Sequence, residues 1–146
     1  MDGVWEDVQE TASADPRIRL LDDAAAGKVI ERTTTIFLTA ARPQWWWEAI
    51  RGPYESVQFF DYRVGLELLR SRIENEPIVL LIVTDSQREP RGVFSGPGDA
   101  ITELIDNTYF FEYAVTDPEA RWLILENHHD FLIFVGDVPP GLRLAQ

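Results

Sequence analysis

Apolar positions recur along the chain in two periods, and each stretch carries its own start and stop signals. The clearest helical period follows Asp61, where Tyr62, Leu66, Leu69 and Ile73 fall at i, i+4, i+7 and i+11 on one face. Arg63, Glu67, Arg70 and Glu74 form the opposite, solvent face; Asp61 suits the cap, and Pro77 stops the chain from continuing as helix. Near the start, GVWEDVQETA places Val4, Val8 and Thr11 at helical spacing beside Trp5 and predicts a short amphipathic helix. A second helix is expected from Asp15 as cap and Pro16 at the first helical position to Gly27 at its end, with Leu20, Leu21 and Ala24 as its stripe. The segment PQWWWEAIRG opens with Pro43 and closes with Gly52, which predicts a further helix of about two to three turns. SGPGDAITELIDN predicts a short one, with Ile101, Leu104 and Ile105 inward and Asn107 at its end.

The period of two marks the strands. TTTIFLTA, residues 33–40, is β-branched and alternating, and residues 57–60 have room for a short strand. IVLLIVT, residues 78–84, is a continuous apolar run of strand length, as expected when both faces are covered, and so should lie centrally. DSQREPRG reads as a polar loop. The last third is a meander: YFFEYAV, RWLILE and FLIFV are joined by turns at TDPE and NHHD, connections short enough to force antiparallel neighbours. Helices early and strands late predict a single α+β domain over residues 1–146. Its sheet should be mainly antiparallel, of about five strands, with helices packed on it; a doubly wound α/β sheet is the alternative.

Composition narrows the function. With 45% hydrophobic and 12% aromatic residues in 146 the chain can bury a real core, so its net charge of −12 does not signal disorder. A pI near 4.4 argues against nucleic acid and anionic membranes as partners, because both are held by clusters of Lys and Arg. The absence of cysteine excludes disulfides, thiolate metal sites and thiol nucleophiles. The start is acidic without an apolar run, and no apolar run reaches the roughly 18 residues of a membrane span, so a cytoplasmic protein is expected. The charge is uneven: residues 1–27 hold seven acids and two bases, 28–91 nine of each, and 92–142 nine acids against Arg121 alone. If the fold joins the two acidic ends, they make one negative face that speeds encounter with a basic partner; solvated surface is the plainer reading.

Several residues are candidates for chemistry. Trp45, Trp46 and Trp47 would span about 200° of a helix and cannot share a narrow buried stripe. Trp46 and Trp47 lie with Ile50, leaving Trp45 as an exposed binding ring or as a residue packed under a neighbouring segment. His128 and His129, with Glu126 and Asp130, are metal-ligand types in one turn, yet neighbouring hairpin residues point to opposite faces; a polar turn held by Asn127 and Asp130 is the alternative. VFSGPGD matches neither a nucleophile elbow nor a phosphate loop, since the spacing differs and no Lys follows. Thr84, Asp85 and Ser86 follow the central strand, where α/β enzymes place catalytic groups, though position is their only support. No cofactor is expected.

The terminal hairpin RWLILENHHDFLIFVG carries Trp122, Glu126, His129, Asp130 and Gly136 at a spacing that resembles small acidic bacterial domains, among them immunity proteins that neutralise toxins of polymorphic systems. The resemblance implies a non-enzymatic protein whose acidic face covers the basic active site of a partner toxin. The expected contacts are Trp45, Glu112, Asp117, Glu119, Glu126 and Asp130. The competing expectations are a small hydrolase using ENHHD and a subunit of a homo-oligomer or larger assembly.

Overall fold

The computed structural model describes residues 3–41, 43, 45–84, 92–108, 111–127 and 130–140. Among these residues four α-helices and seven strands follow one another as α1 (Gly3–Ser13), β1 (Arg19–Leu20), α2 (Asp23–Phe37), β2 (Glu55–Gln58), α3 (Tyr62–Ile73), β3 (Val79–Val83), β4 (Val93–Gly96), α4 (Gly98–Asp106), β5 (Tyr113–Thr116), β6 (Trp122–Glu126) and β7 (Phe131–Gly136). They build one sheet in the order β1-β4-β3-β5-β6-β7-β2, every neighbour antiparallel. The result is a single α+β domain ending in the expected meander; the doubly wound alternative does not occur. The sheet has seven strands rather than about five, because short strands at its margins have too few residues to show a period. β4 lies in residues expected as a helix entry, β1 in residues expected as helix, and β2 starts two residues before the expected strand.

Alternation divides the core. Val79, Leu81 and Val83 of β3 face α1, α3 and α4, whereas Leu80 and Ile82 face α2 and the tryptophan segment. All five residues of β3 are buried, and β3 has a neighbour on each side, as its unbroken apolar run required. Gly98 lets the two helices of the first layer meet. A Cβ there would lie 1.5 Å from the Ile73 carbonyl oxygen, and its N–H donates to the Glu76 carbonyl at 2.9 Å.

Three expectations are corrected. Asp15 and Pro16 do not start a helix: Asp15 Oδ1 accepts from the Arg17 N–H and its carbonyl from the Ile18 N–H, so the residue closes a turn that delivers β1 to β4. The second helix is capped by Asp22, whose carboxylate accepts from Ala25 N–H at 2.8 Å, and it runs through Gly27. Residues 33–40 do not form a strand. Thr33 Oγ1 donates to the Val29 carbonyl at 2.7 Å and Thr34 Oγ1 to Glu31, which satisfies the hydroxyls inside a helix, while Ala26, Val29, Thr33 and Phe37 make one buried stripe. Among the described residues of 43–52 there is a single 3₁₀ turn, Trp46–Glu48, and no longer helix, because Leu38 pairs with Ile50 and Arg51 donates to the carbonyls of Phe37 and Leu38. No helix among the described residues is long and apolar enough to cross a membrane.

Candidate functional site

At one end of the sheet β3, β6 and β2 finish, β5 and β7 begin, and α3 starts. Cross-strand register places Tyr113 opposite Glu126, and Glu126 opposite Leu132. Trp122, Ile124 and Glu126 alternate onto one face of β6, so Glu126 continues a buried apolar row beneath the helices with a carboxyl group. Burial pushes its pKa up to about 7; the Tyr113 hydroxyl, hydrogen-bonded to it, opposes that rise, and the carboxylates of Asp130 and Glu112 add to it. Tyr113 is fully buried and its hydroxyl is raised well above the ordinary range by burial and by Glu126. Tyr62, at the start of α3, is raised to about 12 by partial burial and by the charges of Asp106 and Glu126; its hydroxyl donates to the Ile105 carbonyl at 3.2 Å. Arg63 is committed to Asp106 at 3.4 Å. The charges that Glu126 feels most are therefore of its own sign.

The same end carries an aromatic anchor. Val57 packs on the core and Phe59 is buried with its ring under 3 Å from where a Cβ on Gly65 would lie, so alternation turns Phe60 outward. Phe60 is 93% exposed, the most exposed large apolar side chain among the described residues. Phe59 N–H donates to the Asp130 carbonyl at 2.9 Å, and Asp61 caps α3 through Arg63 N–H, so Phe60 stands between two carboxylate-bearing residues. Asp130 is exposed and has φ +63°, a left-handed turn conformation that Asp and Asn tolerate.

Of the six expected contact residues, the structure brings together Glu112, Glu126 and Asp130. Asp117 and Glu119 lie one strand length away in the β5–β6 turn. Asp117 is 1% exposed and binds the Arg121 backbone N–H at 2.6 Å and its Nε at 2.7 Å, so its carboxylate is inside the turn and not on an open surface. Trp45 belongs to the segment on the other face of the sheet; it is half-buried and stacks on Trp47 at 6.3 Å between ring centroids, with Trp46 buried beneath. The ring expected to be exposed is partly covered because the residues form a 3₁₀ turn and not a longer helix. His128 and His129 lie outside the described residues, as do Asp85 and Ser86. Among the described residues no three ligand-type side chains converge to hold a metal ion.

The acidic chain ends do meet, along α1, β1, β4 and α4, but Arg17 sits between them. Its guanidinium pairs with Asp15, Asp99 and Glu103, lowering the Asp15 pKa and raising its own. An open groove of about 350 Å³ beside it is lined by Thr11, Asp15, Arg17, Glu103 and Asn107, where one guanidinium is shared among three carboxylates. Sequence reasoning missed Phe60, although one signal was available: if Val57 and Phe59 point inward, Phe60 points out.

No curated protein matches the sequence. A family model does match residues 5–143, nearly the whole chain, and through it the chain belongs to DUF6756, a family of unknown function.

Proposed function

We propose that the chain is a protein-binding module that docks a basic partner at the acidic end of its sheet, with Phe60 as the anchor. The observation that carries this reading is a 93% exposed phenylalanine that precedes Asp61 and whose neighbour Phe59 is bonded to exposed Asp130. An exposed aromatic ring is a usual hot spot, and surrounding charge of one sign steers a partner of the other. An inhibitor seated on the basic active site of a nucleic-acid-cleaving toxin is the pairing this chemistry suits. The test is affinity purification of the tagged chain from its source cells at low and then high salt, beside Phe60→Ala. One basic protein should be retained, lost as salt rises, and reduced by about tenfold or more in the variant, a hot-spot loss. Equal capture by both chains at all salt concentrations overturns the reading.

A second reading rests on Glu126. A carboxyl titrating near 7 is poised for proton transfer at neutral pH, so a hydrolase acting through the turn 126–130 is the alternative. It predicts turnover of ester or phosphoester probes that Glu126→Gln abolishes without unfolding the chain; absence of turnover across such probes removes it.

A further inference from the structure

We propose that the partner binds by strand addition, an extended basic segment of it pairing along the outer edge of β2; this rests on the protein-binding reading above. β2 ends the sheet, and among the described residues no strand lies beyond it. Its register determines which groups face out. Phe59 donates to Asp130, so that pair is hydrogen-bonded; in an antiparallel ladder bonded pairs alternate, which gives Val57 and Glu55 to β7. Ser56 and Gln58 therefore point their N–H and C=O groups away from the sheet. ESVQ contains no Pro and no Lys, its one charge is Glu55, and its register against β7 is unbroken from 55 to 58.

The opposite edge is different. β1 is two residues long, too short to template a strand, and lies beside the ion cluster of Arg17. The outer edge of β2 instead runs between two aromatic residues, Tyr54, 54% exposed, and Phe60, with Glu55 and Asp61 alongside. A segment with alternating basic residues could bond to the backbone of Ser56 and Gln58, pack on the rings and meet those carboxylates. Charge also selects against a second copy of this chain as occupant, since self-pairing would bring together two chains of net charge −12.

The experiment uses the full chain and two probes, a synthetic peptide of alternating lysine and valine and its glutamate–valine counterpart, read by titration and by amide hydrogen exchange. The lysine peptide should bind and slow exchange at Ser56 and Gln58, and the glutamate peptide should not. Gln58→Pro removes an outward N–H but no bond to β7, so it should weaken binding by about tenfold or more with the circular dichroism unchanged; Ser56→Pro is the second variant. If the lysine peptide perturbs Phe60 and Asp130 but leaves exchange at Ser56 and Gln58 and the affinity of Gln58→Pro unaltered, strand addition is overturned while the protein-binding reading stands. Equal protection by both peptides overturns the basic occupant and the charge argument behind that reading. A dimer in sedimentation that Gln58→Pro dissolves assigns the edge to a second copy and overturns the proposal. Failure of the lysine peptide to bind overturns it as well, and the capture experiment with Phe60→Ala then decides the protein-binding reading independently.

Discussion

The two ends of strand pair β5–β6 each carry a buried or half-buried carboxylate, and they treat it in opposite ways. At the turn end Asp117 is almost wholly buried yet receives two charge-assisted hydrogen bonds from Arg121, backbone and side chain, and the Ala120 N–H donates to its carbonyl. At the other end Glu126 has a tyrosine hydroxyl and two further carboxylates for company. Burial costs both groups solvation. A carboxylate bonded on both oxygens organises a turn; one that is buried with other carboxylates nearby holds its proton to near neutral pH. The second of these lies near Asp130 and Glu112 at the end that also carries an exposed aromatic ring, which makes that end the better place to look for a partner.

The largest effect should come from breaking the turn end. Asp117→Ala removes the acceptor for both Arg121 bonds in a turn where Ala120 has φ +53°, so the backbone conformation loses what holds it. Charge-assisted bonds to a buried carboxylate support a loss of about 2 to 4 kcal/mol, measured by urea unfolding. A change below about 0.5 kcal/mol would mean that the turn is held by strand pairing alone and that the contrast between the two ends is wrong. The same geometry makes charge reversal at Asp117 a poor probe of partner steering, since it would unfold the turn before it altered an encounter.

Glu126→Gln should act in the opposite sense, with an effect that grows as pH rises above about 4.5 and is complete above 7. In the unfolded chain the carboxyl titrates near 4.5 and in the fold near 7, so between those values the folded state binds the extra proton. The stability linked to this raised group is fully present below about 4.5 and is lost as pH rises through 7. Glutamine keeps the acceptor for Tyr113 without the charge. It should leave stability unchanged near pH 4 and raise it by about 1 to 3 kcal/mol at pH 8, the range that such a shift implies. Equal stability of the two proteins at both pH values would show that Glu126 is solvated and that the two ends do not differ.

How much of this was legible in the sequence follows the range of the interaction concerned. α3 was readable because its cap and its stripe, Asp61 through Ile73, lie within one helix, and β3 because an unbroken apolar run of strand length has few other places to go. Residues 33–40 misled because β-branched threonines favour strands until their hydroxyls find carbonyls a turn earlier, and a period of two in TTTIFLTA cannot show that. Asp15 and Pro16 carry the same composition whether they open a helix or close a turn; pairing of Arg19 with Ser95 decided it, across a separation no local pattern reports. The acidic site was half legible. Glu112, Glu126 and Asp130 were candidates by charge, but their separation from Asp117 needed the register of Tyr113 on Glu126, and Phe60 needed the inward direction of its neighbours.

The smallest effect should come from Asp130→Asn, and it tests whether the charge of Asp130 reaches Glu126. Asn accepts the left-handed conformation at φ +63° as readily as Asp, so the turn should keep its shape and the Phe59 bond to the residue 130 carbonyl should persist. What changes is one negative charge facing Glu126. Because burial is the larger cause of the raised pKa and Asp130 a smaller one, the midpoint should move down by less than burial supplies, and the gain in stability at pH 8 should stay below about 1 kcal/mol. Carbon-13 observation of the Glu126 carboxyl carbon separates this titration from that of the histidines at 128 and 129. An unmoved midpoint would mean that Glu126 is raised by burial alone, and the end would then present a buried acid and a nearby aspartate rather than a joint negative surface. A downward shift that disappears in high salt would show that the carboxylates share one field, the property a basic partner would need to find.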